Sequence, residues 1–184
     1  MTEKWYYLII KKVRDGYMNS KVKNMIMAAM VAALCCVATM LVKIPSPLGG
    51  YLNAGDCVVL VAGFLFSPVY AFLAAGIGSG LADVFAGYTA YVPATFIIKG
   101  LMALIALFVF RLLIKKQNKV VARIAGAVLA EAFMVAGYLV FEGAFLYGFV
   151  PSLVNVIPNV MQGLAGIVLG LILTGIFEKY KITH

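Results

Sequence analysis

Long apolar runs, cut by glycine, proline and short polar clusters, fill the chain from residue 25 to residue 180. They lie at about residues 24–44, 57–82, 94–114, 120–147 and 152–180. A run of about 20 residues is long enough to cross a hydrocarbon core of about 30 Å as a helix. The first run stops at Pro45, Ser46 and Pro47. The second reads two ways: as one bent helix, or as two helices broken at Ser67 and Pro68.

Charge chooses between these readings. Lysine and arginine gather at residues 4–23, 111–123 and 179–181, all beside apolar runs. Such basic flanks mark the cytoplasmic side of a membrane protein. With five spans, the basic loop 115–119 falls opposite the basic N-terminal segment. With six, that segment, the loop and the tail share one side. Residues 48–55, 87–93 and 148–151, none of them basic, then face outside. The expected fold is therefore an all-α integral membrane protein. It is a six-transmembrane-helix bundle with both termini cytoplasmic. Its second span, about residues 56–66, is too short to cross alone, so it must be tilted, shielded or incompletely spanning. Residues 1–23 read as a basic cytoplasmic or interfacial lead, 24–180 as one membrane domain, and 181–184 as a cytoplasmic tail.

Composition agrees with a membrane protein. Hydrophobic residues make up 64% and charged residues 12%, against roughly 45–50% and 25% in soluble proteins. The net charge of +8 is gathered at span ends, which argues against a nucleic-acid surface. Cys35, Cys36 and Cys57 show no zinc or disulfide spacing. The single histidine is His184. An intramembrane enzyme needs a nucleophile–base pair or a metal constellation. None is legible, so no enzyme activity, cofactor or metal is expected.

A few polar residues interrupt the apolar runs, and such residues usually face a bundle interior or a water-filled cavity. Helical spacing sorts them into stripes. Glu131, Tyr138 and Glu142 share one face of the fifth span. Asn155, Asn159 and Gln162 share one face of the sixth. Ser79 and Asp83 are four apart on the third span, as are Thr95 and Lys99 on the fourth. At about 1.5 Å of rise per residue, Asp83, Lys99, Glu142, Asn155 and Asn159 fall in one outer layer. Tyr51, Tyr88, Tyr91, Tyr138 and Tyr147 add aromatic surface there. Glu131 and Gln162 lie deeper. Asp83 and Lys99 read either as a structural ion pair or as ligand contacts, and Glu131 could bond Gln162. The convergence points to a site for a small, partly polar ligand, built from Tyr51, Asp83, Tyr91, Lys99, Tyr138, Glu142, Asn155, Asn159 and Gln162.

Small residues mark close helix packing. Ala28 and Ala32, and Ala29 and Ala33, form overlapping pairs on the first span. Gly76 and Gly80 do so on the third, Gly166 and Gly170 on the sixth. The first set reads as internal packing or as a docking face for another membrane subunit.

At these residues the chain resembles a known family. Residues 28–33, then YLNAGD at 51–56, GIGSGLAD at 76–83 and YVPATFIIKG at 91–100 look like the substrate-binding S component of energy-coupling factor (ECF) transporters. The similarity runs over about residues 23–177, with a subgroup resembling predicted transporters of pyridoxine or hydroxymethylpyrimidine. The resemblance implies six helices and a vitamin or precursor bound near the extracellular face, mostly by helices 4 to 6. It implies that the loop after the first span is a lid; Gly49, Gly50 and Tyr51 are expected to belong to it, the glycines supplying the backbone freedom a hinge needs. It implies a transmembrane T subunit and two cytoplasmic ATPase subunits as partners, docking through Ala28, Ala29, Ala32 and Ala33. It also implies a place in the plasma membrane of a prokaryote. The chain has no G-x-x-x-x-G-K-[ST] phosphate loop, so its energy must come from partners or from an ion gradient. The alternative is a stand-alone proton-coupled carrier using Glu131 or Glu142, since intramembrane acids mark proton relays.

Overall fold

The computed structural model describes residues 20–180. Most of the basic lead and the tail lie outside the described residues. Six principal helices form the bundle: α1 (Ser20–Leu41), α2 (Gly55–Leu65), α3 (Pro68–Ala86), α4 (Val92–Leu113), α5 (Lys119–Phe141) and α6 (Val156–Lys179). Between α1 and α2 a two-residue hairpin pairs β1 (Ile44–Pro45) with β2 (Tyr51–Leu52), Ile44 opposite Leu52. Five helices are long and apolar enough to cross a membrane, and α2 is the shorter apolar one. The protein is an all-α membrane bundle.

Local chemistry sets the helix ends. Pro68 opens α3 directly after Ser67, where its missing N–H would have no partner anyway. Gly87 closes the same helix at φ 83°, a left-handed cap that favours glycine. Pro93 lies in the first turn of α4. Asn118 caps α5 by accepting a hydrogen bond from the Val121 N–H at 2.9 Å, as N-cap side chains do. The break at Ser67 and Pro68 therefore makes two helices, and the six-span reading describes the architecture.

The short second span is shielded. With 11 residues, α2 is about 16 Å long, roughly half a hydrocarbon core. All of residues 55–64 are buried, and α2 packs on α1, α3, α4 and α6. Its all-round apolar sequence suits that central place. Lipid gives little hydrophobic drive for helix association, so close backbone approach matters more. A Cβ at Gly63 would lie 2.6 Å from the Ala103 carbonyl oxygen of α4, and Gly78 of α3 packs directly on the Ala32 carbonyl of α1.

One end of the bundle carries the segments 42–54, 87–91 and 147–155, the last including a short helix (Phe149–Ser152) and a 3-10 turn (Leu153–Asn155); the other carries the basic loop 114–118. At the basic end, Arg123 and Lys119 of α5 both pair with Glu178 of α6, the latter at 2.7 Å. The Arg123 guanidinium also lies 5.5 Å from the Phe110 ring centroid. Arg123, read from the sequence as part of a basic flank, is buried. In the opposite sense, α1 stops at Leu41, so Lys43 emerges, exposed, at the hairpin end.

Candidate functional site

The hairpin end holds a polar cavity of about 30 Å³, lined by residues of the hairpin, α3, α4, α5, α6 and the turn before α4. Asp83 comes from the last turn of α3, Thr95 from the first of α4, Tyr138 and Glu142 from the end of α5, and Asn159 and Gln162 from the start of α6. A local departure from α geometry begins at Glu142, one turn beyond Tyr138. Residues Glu142–Leu146 form a π-helical turn, closed by the Tyr147 N–H donating to the Glu142 carbonyl at 2.8 Å. Such bulges recur at functional sites.

The hairpin roofs this cavity. Gly49 (φ 126°) and Gly50 (φ 72°) take conformations that favour glycine, which lets the chain turn between β1 and β2. Four groups tie the roof to the helices. Tyr51 donates its hydroxyl to Asp83 Oδ1 at 2.8 Å. The Asn53 N–H donates to Gln162 Oε1 at 2.8 Å. Asn155 Nδ2 donates to the Gly49 carbonyl at 3.4 Å, and its Oδ1 accepts from the Leu48 N–H at 3.5 Å. Asn155 also donates to both oxygens of Glu142, each at 3.1 Å.

Tyrosines line the cavity, and an aromatic series runs from them out to the surface at Phe145. Tyr91 donates to Glu142 Oε1 at 3.2 Å and lies 3.4 Å from the Tyr147 hydroxyl. Rings run in sequence from Tyr51 to Tyr88, Tyr91, Phe141 and Phe145, with neighbouring centroids 5.0 to 6.1 Å apart. Burial pushes the Tyr51 phenol up, and the Asp83 charge pushes it further. Burial does the same to Tyr91, reinforced by Tyr147 and Glu142. Both phenols therefore stay protonated and act as donors to the carboxylates.

Seven of the nine expected site residues line the cavity: Tyr51, Asp83, Tyr91, Tyr138, Glu142, Asn159 and Gln162. Asn155 sits behind the lining and ties roof to wall. Lys99 is not in the lining and does not pair with Asp83. It forms an ion pair with Asp56 of α2. The reason lies in the packing: α2 runs between α4 and α6, so its first turn faces Lys99 while Asp83 faces the hairpin. Asp56 is 1% and Lys99 2% exposed. Gln162 Nε2 donates to the other Asp56 oxygen at 2.6 Å, so Gln162 bonds Asp56 and not Glu131. The Tyr138 ring lies 5.5 Å from the Lys99 ammonium, and its hydroxyl donates to Thr95 at 3.1 Å.

Glu131 lies deeper, against Gly163 and Gly166 of α6. A Cβ at Gly166 would stand 2.7 Å from Glu131 Oε1 and 2.9 Å from the Asp56 Cβ. Neither Glu131 oxygen has a hydrogen-bond partner among the described residues. Sequence reasoning left Asn53, Thr95, Tyr88 and Ser46 out of the site, and it left Asp56 without a role. Thr95 was detectable on the Lys99 stripe. Asn53 and Asp56 stood in the quoted YLNAGD segment, but only the loop's path shows what they meet.

The four alanines of α1 divide. Ala28 is buried and Ala32 half-buried against α3, while Ala29 and Ala33 are exposed. All four line an apolar groove of about 400 Å³ shared with Tyr70, Leu73, Ala74 and Ile77 of α3.

The class these features define is a helical membrane bundle with a roofed polar cavity at one end. The comparisons with known proteins give the family. The chain belongs to the family described as ECF-type riboflavin transporter, S component, whose model matches residues 19–179. The family is one of transporter components, not of enzymes. A Pyrococcus woesei protein, described as "Uncharacterized protein in gap 3'region", is 37% identical over 136 residues, 73% of this chain and 87% of that one. A solved structure described as "Structure and mechanism of the S component of a bacterial ECF transporter" is similar with a TM-score of 0.66 at 20% identity. It covers 88% of this chain and 98% of that one, and at this identity it speaks for the fold.

Proposed function

We propose that this chain is the substrate-capture subunit of an ATP-driven ECF importer, holding a B vitamin or vitamin precursor in the hairpin-end cavity. The observation that carries the reading is the cavity itself. Groups from α3, α4, α5 and α6 converge there under a roof that α3, α6 and the turn before α6 hold by hydrogen bonds. The hairpin end faces outside and the basic end the cytoplasm of a prokaryotic cell, in keeping with the basic loop 114–118. The roof is a mobile lid. A cavity of about 30 Å³ has room for only about one or two waters, so a vitamin ring enters only when the hairpin moves.

The ligand is a small heteroaromatic ring with hydroxyl or amino substituents. The matching family carries riboflavin in its name; the sequence resemblance pointed to pyridoxine or hydroxymethylpyrimidine. The tyrosines and carboxylates suit either ring. The apolar groove on α1 and α3 receives the T subunit, through which two ATPase subunits act. Mass spectrometry of ligand retained on the purified protein, followed by a binding screen across B vitamins, tests the capture reading directly. Unpartnered Glu131 favours the alternative of a proton-driven carrier. Uptake measured with the ATPase subunits deleted separates the two: loss of uptake supports the importer, and uptake abolished only by collapsing the proton gradient supports the carrier.

A further inference from the structure

We propose that the cavity selects its ligand by charge, taking neutral or cationic ring compounds that bring hydrogen-bond donors and rejecting their phosphorylated forms. The inference rests on the capture-site reading above. Two carboxylates, Asp83 and Glu142, line one small cavity, and no lysine or arginine is among its lining residues. Both acids are buried. The lysine that the sequence placed in this layer, Lys99, is withdrawn: Asp56 holds it outside the lining.

The donors near the carboxylates are already committed. The Tyr51 hydroxyl serves Asp83, and Tyr91 and Asn155 serve Glu142. Gln162 is engaged at both ends of its amide, by Asn53 and Asp56. A carboxylate only accepts hydrogen bonds when ionised, so the charge offered to a ligand is net negative, beside the neutral polar groups of Ser46, Tyr88 and Asn159. A ligand N–H, O–H or cationic nitrogen beside either carboxylate meets an acceptor of opposite charge. A phosphate monoester adds roughly −1.5 to −2 charge near neutral pH, with no counter-ion in the lining to receive it. Like-charge juxtaposition costs several kcal/mol, which corresponds to at least a ~100-fold loss of affinity.

The test uses purified full-length protein in detergent and titration calorimetry with matched probes. These are riboflavin against riboflavin 5′-phosphate, and pyridoxine and pyridoxamine against pyridoxamine 5′-phosphate. The expected result is that the free compound of at least one set binds and its phosphate ester binds at least ~100-fold more weakly. Glu142→Gln is expected to narrow that gap to ~10-fold or less, through removal of one of the two carboxylates that would face the ester. Asp83→Asn provides the same readout if Glu142→Gln is not monodisperse. An ester that binds as tightly as its parent overturns charge selection while leaving the capture reading standing. A gap that neither variant narrows also overturns it, because size would then be the discriminator. If no probe of any set binds, this inference is overturned for riboflavin and B6 compounds, while the capture reading is decided separately by the screen across B vitamins.

Discussion

Replacing Lys99 by methionine should destabilise the protein more than any single change at the cavity wall. The substitution keeps the side chain's length and apolar stem and removes only the ammonium. It leaves Asp56, 1% exposed, with Gln162 Nε2 at 2.6 Å as its remaining side-chain donor. Removing one partner of a buried ion pair costs about 3–5 kcal/mol, because an uncompensated charge stays behind. In a domain of this size each kcal/mol lowers the melting temperature by about 2–4 °C, so the expected drop is about 6–20 °C. Asp56→Asn, which leaves the Lys99 ammonium near the Tyr138 ring, should cost a similar amount. The double variant Asp56→Asn/Lys99→Met removes both charges and should recover much of the loss, since neutral replacement of a buried pair is often nearly free. The assay is thermal unfolding in one detergent at a fixed scan rate, read as a double-mutant cycle. Lys99→Met melting within about 2 °C of the parent, or a double variant no better than either single one, would refute the buried-pair reasoning.

Three further outcomes are expected. Tyr51→Phe removes the hydroxyl that serves Asp83 and should loosen the lid. A hydrogen bond to a charged group is worth about 1.5–3 kcal/mol, so ligand release measured by stopped flow should speed up by roughly 10-fold or more, and an unchanged rate would discount Tyr51 as a latch. Cysteine introduced at Ser46 or Thr89 should react with an impermeant maleimide added to intact cells while one at Gln117 does not; labelling at Gln117 would invert the proposed sidedness. Ala33→Trp, on the exposed side of the α1 groove, should block assembly with the T subunit and leave ligand affinity within about 2-fold, a change well under 1 kcal/mol; loss of binding with assembly intact would assign that face to internal packing.

The architecture was legible because each of its causes is local. Apolar length, the Ser67–Pro68 break and the grouping of basic residues are sequence properties, and together they specified six helices; that the short one is shielded, one of three readings left open, came from the packing. The inward stripes were legible for the same reason, since spacing of three, four and seven is set by the helix itself. Partner choice was not. Asp83 and Lys99 lie at similar depth, and depth alone made them candidates for each other. Which acid meets the lysine depends on α2 passing between α4 and α6, a tertiary fact with no trace in the spacing of Lys99. The contact of Asn53 with Gln162 joins positions 109 apart, and Arg123 meets Glu178 across 55. Such pairs depend on loop paths and helix order, which periodicity does not encode. The division of the four alanines has the same origin: their spacing gave a face, and the position of α3 decided which half of it is covered.

The π-helical turn at the end of α5 also fixes the reading frame of everything that follows it. A π-turn accommodates one residue more than the α ladder would hold. Deleting a single residue from 143–146 would let that ladder close normally and swing the downstream chain by about 100° around the helix axis. Tyr147 would then turn away from the Tyr91 hydroxyl, while Tyr138 and Glu142, upstream, would keep their places. Length variation at this one position can therefore remodel one wall of the cavity without disturbing the opposite one. Close relatives that differ by one residue here are where a different ligand preference should be sought first.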